Sequence, residues 1–262
     1  MDNCKIIAIC NQKGGVLKTS VTVNLGVGLV SQGQKVLLID ADPQGNLTTS
    51  LGWRDNDNLP TTLASLMKKT IQDEPIILNE GILIHDEGVD LVPANMDLSG
   101  MELSLINAMS REFILKAYLD TVMSFYNYIL IDCMPSLGLL TVNALAAANS
   151  VIVPVQAQYL PAKGMTQLIK TISKVKKHIN PGLKIDGILM TLVDSRVILA
   201  KTTEEILRKQ YGNHMKIFET KIPVAIKAAE ASAAGKSIFA YDNGSKAAKA
   251  YANLVKEVLR DV

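Results

Sequence analysis

Short apolar runs alternate along this chain with stretches whose apolar residues recur at helical spacing. Residues 5–10 form a compact apolar run that ends in a polar, glycine-bearing loop over 11–17. Behind the loop, Val21, Leu25, Leu29 and Val30 predict a helix over 18–31, closed by Gln32-Gly33. A second β-rich run, 35–39, ends at Asp40. Strand, loop, helix and strand in that order open a parallel sheet. The polar stretch 53–60 reads as an exposed loop, followed by a short helix near 63–69 and strand candidates at 76–78, 82–84 and 89–93. A helix is predicted over 111–126, with another helical segment before it. Further strands fall at 128–131, 151–155, 185–192 and near 217–218, the second of them expected to stop at Pro154 and Gln156. Helices are predicted over 141–148, 163–178, 202–211, 226–234 and 247–262. The 163–178 helix is conspicuously basic, and the last carries Tyr251, Leu254, Val255, Val258 and Leu259 on one stripe. With no internal repeat, low-complexity tract or long linker, one α/β domain over 1–262 accounts for the chain.

Composition narrows the class. Apolar residues make up 48% and charged residues 20%, as in ordinary globular proteins. No window reaches the roughly 18 unbroken apolar residues that a membrane span needs, so no stable membrane association is expected. The amino terminus runs straight into a strand and a glycine loop without a cleavage region, so a signal peptide is not expected either. Cys4, Cys10 and Cys133 form no CxxC or Cys/His cluster and read as buried, reduced thiols suited to the cytoplasm. The net charge of +2 hides an asymmetry. Residues 1–160 hold 9 Lys/Arg against 16 Asp/Glu, a net of −7, whereas 161–262 hold 18 against 9, a net of +9. That polarity suits either a basic face for a polyanion or a lysine-rich solvated surface.

The chemistry is concentrated in Lys13-Gly14-Gly15-Val16-Leu17-Lys18-Thr19-Ser20. Backbone N–H groups in such a loop, with a helix amino terminus behind them, cradle phosphates. Lys18 is placed to reach β and γ phosphates, and the Thr19 hydroxyl to hold Mg²⁺. Two carboxylate motifs fit the same site. Asp40 and Asp42 begin Asp-Ala-Asp-Pro-Gln-Gly-Asn where the second strand ends, and Asp132 ends the apolar strand Ile129-Leu130-Ile131. Aspartates at the carboxyl ends of parallel strands lie beside the ligand crevice, and near Mg²⁺ they usually act through metal-bound water. A dinucleotide site fits less well, because the loop has Lys18-Thr19 and lacks GxGxxG.

In these motifs the chain resembles the ParA/Soj branch of the ParA–MinD ATPases over nearly its whole length. The resemblance implies a three-layer P-loop NTPase fold, with a mainly parallel, doubly wound sheet flanked by helices. It implies ATP and Mg²⁺ as ligands, and ATP-dependent closure of a homodimer around the nucleotide. Lys13 matches the signature lysine that crosses to the partner's phosphates, Lys18 the phosphate lysine and Thr19 a magnesium ligand. Asp42 matches the aspartate that positions attacking water, Asp132 the Walker B aspartate, and Asp40 lies on the metal side. Gln44, Gly45 and Asn46 complete a segment like the first switch. Ile222-Pro223 resembles the segment near the base pocket, which places Pro223 among the nucleotide contacts. One departure stands out: the family has glycine where this chain has Leu17, a residue less tolerant of unusual dihedrals. Nucleotide binding with slow hydrolysis is expected from it. Met134 replaces a proline after Asp132, while Val224, Ala225 and Ser232 depart from the pattern of the late segment.

The same resemblance implies nonspecific DNA binding on the nucleoid and stimulation of hydrolysis by a ParB-like centromere-binding protein during plasmid, chromosome or mobile-element segregation. Nonspecific binding needs only cations against phosphates. Arg196, Lys221 and Lys227 are the first candidates, ahead of Lys201, Arg208, Lys209, Lys216, Lys246 and Lys249. Two alternatives stand beside this reading. One is a MinD-like positioning ATPase, which calls for a further basic amphipathic tail. The other is a regulatory module that keeps ATP but turns it over weakly through Leu17.

Overall fold

The computed structural model describes residues 4–157, 162–194 and 196–260. Strand β1 (Lys5–Ile9) leads through the glycine loop into helix α1 (Lys18–Val30) and β2 (Val36–Ala41). Then come α2 (Asn46–Ser50), a 3₁₀ turn at Asn56–Asn58, α3 (Leu63–Ile71), and the short strands β3 (Leu83–Ile84) and β4 (Asp90–Val92). Helices α4 (Asp97–Ile106) and α5 (Ile114–Val122) precede β5 (Tyr128–Cys133), α6 (Leu139–Ala147) and β6 (Ser150–Gln156). The remainder is α7 (Ala162–His178), β7 (Lys184–Val193), α8 (Ile198–Tyr211), β8 (Ile217–Pro223), α9 (Ile226–Ala233), α10 (Ile238–Asp242) and α11 (Lys246–Arg260).

The strands form one sheet in the order β3-β4-β2-β5-β1-β6-β7-β8, antiparallel only between β3 and β4. Its central strands are buried on both faces, which is why they read as unbroken apolar runs. Alternate residues feed two apolar layers. Ile6, Ala8, Ile129 and Ile131 pack with α3 to α8, whereas Ile7, Ile9, Tyr128 and Leu130 pack with α1, α9, α10 and α11. The stripe read on α11 is core: Tyr251, Leu254, Val255 and Val258 are buried, each worth roughly 1.5–3 kcal/mol of transfer free energy. The fold is therefore the three-layer, mainly parallel α/β arrangement expected. No helix among the described residues is long and apolar enough to cross a membrane.

Three local expectations are corrected, and two short helices are added. Residues 76–78 form no strand, and Ile77 and Leu78 are exposed. The 111–126 helix begins only at Ile114 and gives way to a 3₁₀ turn at Met123–Phe125. Pro154 does not stop β6: it lies beyond the last β1 pairing, Ile9↔Ile152, where the neighbouring strand demands no N–H from it. Asn11 Nδ2 takes the Pro154 carbonyl instead, at 2.6 Å. Helices α2 and α10, five residues each, have too few apolar positions to show a period. The last residues of the predicted 247–262 helix, 261 and 262, lie outside the described residues.

Candidate nucleotide site

Parallel register assembles the site at one edge of the sheet. Ile9 pairs with Asp132, and Asp40 pairs with Asp132 from the other side. The glycine loop therefore leaves β1 directly beside both strand-end aspartates. The loop is pinned from beneath. Asn11 Oδ1 accepts from Lys13 N at 3.0 Å, and the Thr191 hydroxyl on β7 donates to the buried Val16 carbonyl at 3.1 Å. Gly14 and Gly15 lie exposed on the outer rim, Gly15 at φ +71, with nothing within 4 Å of where a Cβ would stand. Leu17 takes φ 66 and ψ 28 as the residue preceding α1, the left-handed geometry a glycine would supply. Its side chain packs, half-buried, against the α1 layer of the core. The loop thus bends normally despite the leucine.

Lys18 is buried, with its Nζ donating to the Lys13 carbonyl across the loop at 3.3 Å. Thr19 Oγ1 donates to Asp132 Oδ2 at 2.6 Å. Asp132 Oδ1 is buried and has no hydrogen-bond partner among the described residues. Desolvation, then the neighbouring Asp40 charge, push the Asp132 carboxyl up to about 8. Burial likewise raises Asp40, to about 6. Asp40 is tied inward: Oδ2 accepts both the N–H and the hydroxyl of Thr48 at 2.9 and 2.7 Å, and Oδ1 accepts Asp42 N at 3.3 Å. This cluster, a hydroxyl and two desolvated carboxylates with one buried oxygen unmatched, fits a hard divalent cation. Mg²⁺ takes one or two carboxylates plus phosphate oxygens and does not need a full protein cage. Asp42 Oδ1 accepts Gln44 N at 3.0 Å, and its other oxygen makes no hydrogen bond among the described residues.

Lys13 is exposed, with its Nζ donating to Gln156 Oε1 at the end of β6 at 3.0 Å. Ser20 continues the first turn of α1, its carbonyl accepting Asn24 Nδ2 at 2.7 Å. Pro223 ends β8, in register with Val193 two residues past Thr191, and so reaches the same edge. The three cations chosen for DNA do not join the site, and each is neutralised within the chain. Arg196 forks onto Asp194, Lys221 pairs with Glu204, and Lys227 pairs with Glu230. Thr48 and Thr191 were given no role by sequence reasoning, and Gln156 only that of ending a strand. Thr191 had a signal, being the one polar residue in the apolar run 188–192, but its partner is 175 residues away.

A glycine loop at a helix amino terminus, a buried lysine, and a threonine bonded to a strand-end aspartate define a P-loop nucleoside triphosphatase. A model of the AAA domain family matches residues 4–185. The sporulation initiation inhibitor protein Soj of Bacillus subtilis is 42% identical over 254 residues, 97% of this chain and 98% of that protein. The chromosome partitioning protein ParA of Caulobacter vibrioides is 38% identical over 257 residues, covering 97% and 94%. Among solved structures, cobyrinic acid a,c-diamide synthase of Mycobacterium smegmatis, with bound ADP and magnesium, superposes with a TM-score of 0.86 at 36% identity, covering 98% and 95%. The chain belongs to the ParA/Soj family of P-loop ATPases.

Proposed function

We propose that this protein is a DNA-partitioning ATPase, a Mg-ATP-dependent switch that closes as a homodimer, binds DNA nonspecifically and is released after hydrolysis stimulated by a ParB-like partner. The observation that carries the nucleotide part is the bridge from Thr19 to Asp132 beside the buried Lys18. The relatives' roles in partitioning support the rest.

The reaction is in-line attack of water on the γ-phosphorus, with cleavage of its bond to the ADP oxygen. Lys18 Nζ, already inside the loop, donates to the phosphate oxygens as charge moves onto the leaving group. The Gly14-Gly15 backbone supplies further N–H donors without side chains in the way. Asp42 is held by the Gln44 N–H through one oxygen, so the other is available to accept a hydrogen bond from the attacking water. Thr19, Asp132 and Asp40 would hold Mg²⁺, which would supply neutralisation of the phosphate charge. Lys13 stands on the rim, where it serves the nucleotide of a second copy. Pro223 borders the base, and the working location is the nucleoid in the cytoplasm.

The test is binding to a nonspecific duplex with ATP, with ADP and with no nucleotide, using Lys18→Ala as control across a salt series. Salt-sensitive binding confined to ATP and lost in Lys18→Ala is the expected result. Absence of binding despite measured ATP occupancy overturns the DNA switch and leaves a protein-positioning ATPase.

A further inference from the structure

The two strand-end aspartates are treated alike. Asp40 and Asp132 are paired in register on neighbouring strands, and both are buried. Each gives its Oδ2 to a threonine hydroxyl: Thr19 donates to Asp132 at 2.6 Å and Thr48 to Asp40 at 2.7 Å. Each keeps its Oδ1 back. Asp132 Oδ1 has no partner among the described residues. Asp40 Oδ1 has the Asp42 N–H, a long bond at 3.3 Å. Thr19 has a reason to be there, since it opens α1 behind the glycine loop. Thr48 lies in another element, and its hydroxyl needs a reason of its own.

Tethering α2 does not supply that reason. The Thr48 N–H already reaches Asp40 Oδ2 at 2.9 Å, so the hydroxyl is a second donor to the same oxygen. A fully buried hydroxyl is costly unless its hydrogen-bonding capacity is used. Here it is used in a fixed direction. The Ala94 N–H donates to Thr48 Oγ1 at 3.0 Å, which leaves the single hydroxyl proton to point at Asp40. The Ala94 peptide is itself held from its other side, where Asn56 Nδ2 donates to its carbonyl at 2.9 Å. Thr48 is therefore aimed by groups outside the glycine loop and the aspartate pair. With two donors on Oδ2, Asp40 cannot turn without breaking both bonds. The oxygen it can still offer is Oδ1, the one that also receives the Asp42 N–H. Groups that orient a metal-binding carboxylate in this way set its affinity without touching the metal. The neighbouring Thr49 shows the contrast: its hydroxyl donates to the Asn46 carbonyl of the same helix, at 3.2 Å.

We infer that Thr48 is a positioning residue of the ATPase: its hydroxyl fixes Asp40 so that Oδ1 is the oxygen offered to the Mg²⁺ of the nucleotide. The assignment rests on the Mg-ATP reading above. The experiment measures the affinity of the full chain for a fluorescent, non-hydrolysable ATP analogue, once with Mg²⁺ and once with EDTA. The ratio of the two affinities is the contribution of the metal, read without turnover. Wild type is compared with Thr48→Val, Thr48→Ser, Thr49→Val, Asp40→Asn and the double variant Asp40→Asn/Thr48→Val. Circular dichroism melts report folding. If Thr48→Val is unfolded at the assay temperature, Thr48→Cys, which keeps a weak donor, replaces it in both backgrounds. Expected is a loss of about tenfold or more in the Mg²⁺ ratio of Thr48→Val, with its EDTA affinity within about twofold of wild type. Thr48→Ser restores the ratio to within about threefold, and Thr49→Val leaves it unchanged. Because Thr48 acts through Asp40, Thr48→Val costs nothing further in the Asp40→Asn background. A folded Thr48→Val with the full Mg²⁺ ratio overturns the assignment. So does an EDTA affinity that falls as far as the Mg²⁺ affinity, or a further loss in the Asp40→Asn background, and in each case the Mg-ATP reading stands. If the wild type itself gains nothing from Mg²⁺, that reading of the cluster falls, and Thr48 with it.

Discussion

Leu17 sits at φ 66 in a conformation that costs an L side chain roughly 1–2 kcal/mol, and its half-buried packing against the core offsets part of that. Two substitutions separate the terms. Leu17→Val puts a β-branched side chain where it is a true outlier, and is expected to lower stability by about 1–2 kcal/mol in urea denaturation. Leu17→Gly relieves the backbone and loses the packing, so its stability stays within about 1 kcal/mol of wild type. If the strain also slows turnover, the glycine variant hydrolyses ATP several-fold faster, since about 1 kcal/mol is a factor of five or so in rate. Unchanged turnover would show that Leu17 places no brake on hydrolysis. The aspartates make a second prediction. Asp40 and Asp132 hold their protons more tightly in the folded chain than in the unfolded one, to about 6 and about 8. The folded state therefore binds more protons between roughly pH 4 and 8, and this pair makes stability fall as pH rises through that window. A cation that displaces those protons stabilises most where they have already left. Mg²⁺ should raise the melting temperature more at pH 8 than at pH 6, and Asp132→Asn should abolish that difference. An equal Mg²⁺ effect at both pH values, or its survival in Asp132→Asn, would exclude this cluster as the site.

At the scale of elements, helix α2 is tied to the site through the strand end before it. Helix α2 is preceded by Gly45 at φ 61, where a Cβ would stand 2.8 Å from the Ala94 carbonyl and closer still to the Asn56 amide. Thr48 within the helix links Asp40 to the Ala94 N–H, which donates to Thr48 Oγ1 at 3.0 Å. Gly45→Ala is therefore expected to lose about 2 kcal/mol or more, combining left-handed strain with a backbone clash. Guanidinium denaturation reads it, and a loss under about 0.5 kcal/mol would mean that the segment relaxes freely. The same helix marks the limit of sequence reading. Val36–Ala41 and Tyr128–Cys133 were legible because burial on both faces leaves an apolar signature. Lys18, Thr19, Asp40, Asp42 and Asp132 were legible because each stands at a fixed offset from such a strand. Helix α2 has no such signature: its order comes from a carboxylate at the end of the preceding strand. Thr191 and Gln156 escape for the same reason, since their partners are joined to them only by the crossing of strands.

For the whole molecule, the central question is how many copies make one working site. Lys13→Ala and Asp42→Ala should each abolish hydrolysis alone. If Lys13 acts across the interface, their equal mixture should recover roughly a quarter of the wild-type rate, because half the random dimers are mixed and each contains one complete site of two. No recovery in the mixture would place Lys13 in its own chain's site. The hydrogen bond from Lys13 to Gln156 adds a consequence. Gln156 is the last residue of β6, and the chain from it leads into α7 within six positions. A lysine that leaves Gln156 to serve another copy gives up a hydrogen bond at the end of β6. If the proposed closure on nucleotide and the proposed hold on DNA are coupled, linkage makes that coupling reciprocal. Whatever factor ATP contributed to the affinity for DNA, DNA would return to the affinity for ATP.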